Sequence, residues 1–179
     1  MTPQKPARRV QQRALDTQTA LLDTAVDLFS RRGYDGASVR QIEEMAGVNR
    51  GLVSYHFGDK AELWRCAASR LFERIQDAMS EVANINDNKD DAQLARELAR
   101  SFVRYSASQP ALNRLMMQES MQSSWRVSFI VEKQIQPMMQ QIRERFPRAS
   151  QTVWGNDNPH RYYAFVGAAA FVFSAAEEC

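Results

Sequence analysis

Three glycines and three helix-start signals fall within residues 38–60, SVRQIEEMAGVNRGLVSYHFGDK, and no other stretch constrains the fold as tightly. Ser38 with Gln41 three residues later forms a capping box, in which each partner satisfies a backbone N–H that a helix start leaves open. A helix is therefore predicted from about Val39, with Val39, Ile42, Met45 and Ala46 on its buried face. Gly47 takes up the left-handed backbone that stops a helix abruptly. Asn49 then reads as the N-cap of a second helix, in which Val53 and Phe57 lie four apart on the buried side. Gly58 ends that helix, and Asp59 with Glu62 caps a third.

Two short helices around a glycine turn place one helix for insertion into a groove. A recognition helix needs a small residue where a phosphate backbone comes close, hydrogen-bonding side chains for base edges, and cations or hydroxyls for phosphates. Arg50 matches a guanine edge, Gly51 permits close approach, and Leu52 suits a thymine methyl. Ser54, Tyr55 and His56 are donors for phosphates, and Lys60 adds a charge at the next helix start. The same pattern also describes an ordinary helical hairpin with a solvated polar face, and spacing alone leaves both readings open.

The flanking charge bears on that choice. Residues 1–14, MTPQKPARRVQQRA, hold Lys5, Arg8, Arg9 and Arg13 and no acid, while Pro3 and Pro6 oppose regular structure; a flexible basic arm is expected. Such an arm can lie along DNA, or it can be a solvated tail. Lys and Arg outnumber Asp and Glu by 9 to 7 in residues 1–60 and match them at 14 each in residues 61–179. The whole net charge of +2 thus lies in the amino-terminal third, where a polyanion would bind.

Between arm and motif, a helix ended by Gly33 is expected with Leu22, Ala25, Val26 and Phe29 on one face. With it in place, residues 15–65 resemble the amino-terminal domain of the tetracycline-repressor (TetR) family of transcriptional regulators. The matching positions include Ala25, Leu28, Phe29, Gly33, Tyr34, Ser38, Val39, Ile42, Ala46, Gly47, Val48, Gly51, Tyr55, His56, Phe57, Lys60 and Leu63. The resemblance implies a homodimer whose recognition helices enter successive major grooves of a pseudo-palindromic double-stranded operator, released by a small molecule bound to the carboxy-terminal domain. Carried over by position, Asn49, Arg50, Gly51, Leu52, Ser54, Tyr55 and His56 face DNA, Ser38 and Arg40 lie at the start of the preceding helix, and Lys60 contacts phosphate. Many relatives have tyrosine where this chain has Ser54, so the operator is not transferable from a relative.

Downstream the chain reads as helical throughout, giving an all-α protein with a helix-turn-helix domain at 15–62 and a helical ligand-binding and dimerisation domain at 63–179. A long helix over 60–83 carries Leu63, Trp64, Ala67, Leu71, Ile75, Ala78 and Val82 at helical spacing and is the natural lever between domains. The polar run NINDNKDD, 84–91, is a loop. Helices follow at 92–108, with Leu94, Leu98, Phe102 and Tyr105 in one stripe, and after Pro110, with Leu112, Leu115 and Met116. A further helix over 124–146 buries Val127, Ile130, Val131, Ile135, Met138, Ile142 and Phe146, and Pro137 inside it predicts a bend with a freed carbonyl at residue 133. Phe102, Tyr105, Met116, Met121, Trp125 and Met138 are candidate lining for an apolar or aromatic effector, since Met and aromatic side chains suit adaptable pockets; the same stripe equally describes plain core.

The last helix, from Pro159, has no charge between Tyr162 and Ala176, too short a span for a bilayer. A helix apolar all round requires cover on all sides, and a second subunit is the expected cover, with Gly167 to Ala170 allowing close approach. The resembled family closes on two such helices per subunit, and this sequence shows one of them before Cys179. The basic arm lacks the apolar stretch of a secretion signal, and Cys66 and Cys179 form no disulfide framework, so a cytoplasmic protein is expected. His56 and His160 have no carboxylate or cysteine partner at ligand or triad spacing and no Gly-rich phosphate loop is present, so neither an enzyme nor a bound cofactor or metal is expected. A helical interaction module whose helix-turn-helix does not bind DNA is the alternative.

Overall fold

The computed structural model describes residues 5–85, 91–121, 123–145, 147 and 167. The described residues are helical with no strand: α1 (Lys5–Gly36), α2 (Val39–Met45), α3 (Leu52–Phe57), α4 (Lys60–Ile85), α5 (Asp91–Ser108), α6 (Ala111–Ser120), α7 (Trp125–Phe129), a π-helical turn (Ile130–Ile135) and α8 (Gln136–Arg145). The chain divides into two compact units, Met1–Ala68 and Ser69–Cys179. The division falls within α4, six residues beyond the expected end of the domain at 62, because the first turns of α4 bury Leu63, Trp64, Ala67 and Ala68 completely.

In the first unit, the expected irregular arm gives way to helix at Lys5. Pro6 falls in the first turn of α1, where a backbone N–H has no intrahelical partner to lose. The buried face of α1 consists of Leu21, Ala25, Val26, Leu28 and Phe29; Leu22, expected on it, is half-buried and Leu21 takes its place. Positions 21, 25, 28 and 29 form the stripe that points inward at 3.6 residues per turn. Gly33, with φ 69° and ψ 176°, breaks the helix as expected, and Tyr34 then stacks on Phe29 with ring centroids 6.0 Å apart. Helices α2 and α3 contribute Ile42, Val53 and Phe57 to this core.

The second unit is built on the remainder of α4, where Leu71, Phe72 and Ile75 are buried. Against these lie Leu94, Ala95, Leu98 and Tyr105 of α5, Leu112 and Leu115 of α6, and Ile130. Side-chain bonds tie α4 to its neighbours: Tyr105 OH donates to the Leu71 carbonyl at 3.3 Å, Ser101 Oγ to the Ala78 carbonyl at 3.3 Å, and Gln134 Nε2 to Ser69 Oγ at 2.8 Å. Burial raises the Tyr105 phenol above its ordinary pKa of 10.0, and the charge of Arg74 opposes that only in part. Between α6 and α7, Arg126 Nε donates to the Glu119 carboxylate at 2.7 Å with both side chains buried. No spacing rule signals this pair, since seven residues and a helix boundary separate its members.

Pro137 follows a widened turn that its own position does not announce. The helix widens over Ile130–Ile135, and Gln136 N–H donates to Val131 O, five residues back. A π-turn takes up the mismatch that a proline introduces, and its extra residue rotates the rest of the helix by about 100°. The apolar stripe expected along 124–146 is split accordingly: Ile130 is buried, Val127, Val131, Ile135, Met138 and Ile142 are half-buried, and no residue of α8 is fully buried. Phe146 lies outside the described residues, as do most of the 84–91 loop and, apart from an exposed helical Gly167, the expected closing helix at 159–179.

Candidate nucleic-acid interface

The surface is assembled by α2, α3 and the start of α4. Ser38 caps α2 as its sequence requires: Gln41 N–H donates to Ser38 Oγ at 3.2 Å, and Ser38 N–H donates to Gln41 Oε1 at 3.0 Å. The Ser38 hydroxyl is thereby engaged within the cap. Gly47, with φ 67°, and Gly58, with φ 85°, stop α2 and α3 in backbone conformations that residues with a Cβ rarely adopt. Asp59 Oδ1 accepts from Glu62 N–H at 2.8 Å and starts α4, while the Glu62 side chain turns away to Arg65.

The buried face of α2 departs from expectation. Met45 is 59% exposed, Val39 and Ala46 are half-buried, and Glu43 is buried to 3% exposure beside Ile42. A buried carboxylate requires hydrogen-bond partners, and Glu43 has them across the turn. Gly51 N–H and Val53 N–H both donate to Glu43 Oε1, at 2.9 and 3.0 Å. Asn49 is therefore not the N-cap of α3. That place belongs to Gly51, in the left-handed conformation with φ 89°, and the side-chain acceptor comes from Glu43 on the preceding helix.

A six-residue helix is too short to persist alone. Burial of Val53 and Phe57 contributes roughly 1.5–3 kcal/mol each, and the Glu43 cap orients the first turn of α3 against α2. The opposite face is left to solvent: Asn49, Arg50, Gly51, Ser54 and Tyr55 are exposed, Tyr55 to 79%, while Leu52 and His56 are half-buried. The His56 ring meets Tyr55 edge-on at 4.9 Å between centroids.

Two of the candidate cations converge on one acid. Arg40 Nε lies 2.9 Å from Glu44 Oε1, and Arg50 Nη2 lies 3.7 Å from the same oxygen, all three side chains being exposed. The hydrogen bond from Arg40 and then its charge hold the Glu44 carboxyl below its ordinary pKa of 4.5, against an opposing effect of burial and with a lesser contribution from Arg50. Lys60 is placed otherwise, with Nζ 4.2 Å from the centre of the Tyr34 ring. A cation over an aromatic face gains roughly 0.5–1 kcal/mol at such a site, which anchors the start of α4 to the end of α1.

The candidate effector residues are spread over different environments, and one of them lines the cleft among the described residues. The second unit has a shallow cleft, open to solvent, lined by Gln76, Met79, Ser80, Leu98, Met138, Gln141, Ile142 and Arg145. Of the six expected lining residues only Met138 is among them. Tyr105 is core, Phe102 and Met116 are half-buried, and Met121 and Trp125 are exposed, to 74% and 40%. Helical periodicity reports which face is apolar, whereas a cleft depends on where three helices fail to fill the space between them. Among the described residues no group of His, Cys, Asp and Glu could hold a metal ion, and no helix is long and apolar enough to cross a membrane.

Comparison with known proteins agrees with this geometry. Residues 21–65 match the family model of bacterial regulatory proteins of the tetR family. The HTH-type transcriptional regulator AcrR of Shigella flexneri is 38% identical over 71 residues, covering 37% of this chain and 33% of the relative. The HTH-type transcriptional repressor AcnR of Corynebacterium efficiens is 36% identical over 67 residues, 37% of this chain and 36% of its own. CymR of Pseudomonas putida, an HTH-type transcriptional regulator, is 32% identical over 99 residues, 54% of this chain and 49% of its own. The chain thus matches about a third to a half of the length of these relatives. The fold of a TetR-like transcriptional regulator from Rhodococcus sp. RHA1 superposes with a TM-score of 0.68 at 19% identity, over 89% of this chain and 82% of that one. With its capped α2, its glycine turn and an α3 that buries one face and turns the other to solvent, the stretch 21–65 of this chain is a domain of the kind described by the family model of tetR-family bacterial regulatory proteins.

Proposed function

We propose that the chain is a transcriptional regulator that binds duplex DNA through α3 and the flanking residues Arg40, Asn49, Arg50, Gly51, Leu52, Ser54, Tyr55, His56 and Lys60. The observation that carries this reading is the division of α3 into two faces, with Val53 and Phe57 in the core and Ser54 and Tyr55 in solvent, continued by the exposed Asn49 and Arg50 of the turn before it, on a helix too short for any purpose of its own. Arg50 is the residue for a guanine edge and Tyr55 for a phosphate. Ser38 serves as the cap that orients α2. Binding of a pseudo-palindromic operator as a homodimer through the helix expected at 159–179, repression by occlusion of a promoter, and action in the bacterial cytoplasm, where the DNA is, belong to the same reading.

The cleft of the second unit is the place for an effector. Its lining is mixed, with Met79, Leu98, Met138 and Ile142 for an apolar body and Gln76, Ser80, Gln141 and Arg145 for polar groups, so the occupant is a small amphipathic molecule rather than a purely apolar one.

Selection of duplexes from a random-sequence pool, followed by charge reversal at Arg50 and Lys60, tests the DNA reading. The wild type is expected to enrich a two-fold-related sequence at low salt, and Arg50→Glu and Lys60→Glu to lose it while keeping the helical circular dichroism of the parent. A folded wild type that enriches nothing points instead to a helical interaction module. For the cleft, a melting screen against small molecules applies, since a ligand at 100 times its Kd adds about 2.7 kcal/mol to stability.

A further inference from the structure

Glu44 is an acid in the middle of a surface assigned to a polyanion. Its neighbour Glu43 is turned inward and spent on the cap of α3, but Glu44 is exposed, and its Oε1 atom is shared by Arg40 at 2.9 Å and Arg50 at 3.7 Å. The two arginines arrive from different elements. Arg40 stands one turn before Glu44 on α2, and Arg50 sits in the turn just before α3. Glu44 therefore links α2 to the turn that leads into α3 at the solvent face, while Glu43 ties α2 to the start of α3 in the interior.

A carboxylate there has two physical effects. It neutralises part of the charge that would attract any phosphate, and it engages Arg40 by a hydrogen bond and Arg50 by a looser charge contact before DNA arrives. Non-specific affinity is set by the number of phosphates that cations neutralise, so an internal counter-ion lowers it for every sequence alike. A guanine edge offers Arg50 two acceptors in the geometry of its guanidinium and replaces the lost contact in full, which a lone phosphate oxygen does not.

Resting on the DNA-binding reading, we propose that Glu44 is a specificity-determining residue: it occupies Arg40 and Arg50 in the free protein, so that sequence-independent binding is weakened and only a duplex presenting base acceptors to Arg50 displaces it. It acts through the arginines and is a positioning residue rather than one that must touch DNA.

The test compares the full-length wild type with Glu44→Gln, which keeps the size and removes the charge, and with Glu44→Ala as a second variant. Binding is followed by fluorescence anisotropy to a duplex selected by the wild type and to an unselected duplex of equal length, across a salt series. Glu44→Gln is expected to bind the unselected duplex about three- to tenfold more tightly at about 0.1 M salt, with a log–log salt slope steeper by about one per protomer. The selected duplex should gain less, so the ratio of the two affinities falls. A purely structural role would change the melting temperature and leave this ratio alone. Equal gains on both duplexes, or no gain on the unselected one, overturn the assignment of Glu44 while the DNA reading stands. A wild type that retains no duplex at low salt overturns both.

Discussion

Replacing Glu43 by alanine removes the single oxygen that accepts from both Gly51 N–H and Val53 N–H, at 2.9 and 3.0 Å. Val53 is fully buried, so its N–H has no route to water once the acceptor is gone; Gly51 is exposed and can be solvated. A hydrogen bond to an ionised acceptor contributes about 1.5–3 kcal/mol, and a solvated N–H loses less, so the pair together is worth about 2–4 kcal/mol after the relief of a desolvated carboxylate. For a chain of this size, about 2–4 °C per kcal/mol gives a fall in Tm of roughly 5–15 °C, read from the helical circular dichroism signal. Glu43→Gln keeps an amide oxygen in place and is expected to lose about half as much. DNA retention should follow the same order, because α3 is held to α2 by this cap and by two side chains. A Glu43→Ala protein melting within about 2 °C of the parent would refute the capping argument, as would equal losses for the alanine and glutamine variants.

Gly51→Ala should cost about 1–2 kcal/mol through the left-handed backbone alone, since a Cβ at Gly51 meets no atom within 4 Å; urea denaturation giving no loss would show that this conformation is not required. Tyr105 remains protonated in the folded protein at pH values where an unfolded tyrosine ionises, so its contribution is complete below about pH 10 and declines as pH rises through the higher folded value. Tyr105→Phe should therefore melt lower by about 1 kcal/mol at neutral pH, through the lost bond to Leu71, and show a shallower decline in Tm between neutral and strongly alkaline pH than the parent. Arg126→Met leaves the Glu119 carboxylate buried without its cation and is expected to cost about 3–5 kcal/mol, whereas Arg126→Met with Glu119→Gln should recover at least half of that; equal losses in chemical denaturation would mean the pair is not coupled.

The capping signals at Ser38 and Asp59, and the glycine stops at Gly33, Gly47 and Gly58, were legible because each acts within four residues of itself. The buried positions of α4 and α5 were legible for a related reason: Leu63, Trp64, Leu71, Ile75, Leu94 and Leu98 recur at the period of one helix. Errors arose where a contact crosses between elements. Asn49 has the composition of an N-cap, but the angle between α2 and α3 brings Glu43 to that place first. Met45 fits the apolar spacing of α2, yet the helix is rotated so that Glu43 and Ile42 face inward. Proline rules pointed to Pro137 but not to the wider turn upstream of it, which moved the later apolar residues off the expected stripe.

The site shows the same division. Which residues of 49–56 are polar, and that Val53 and Phe57 share a face, follow from the order of the amino acids, because helical spacing converts sequence distance directly into direction. That Arg40, Glu44 and Arg50 form one charged group, that Glu43 holds α3 from α2, that Lys60 rests on Tyr34, and that the cleft lies among α4, α5 and α8 follow only from packing. Local propensity acts over a turn or two of chain, whereas these contacts depend on the crossing of helices joined by a glycine turn, and that crossing is set by the sum of all the buried surfaces at once.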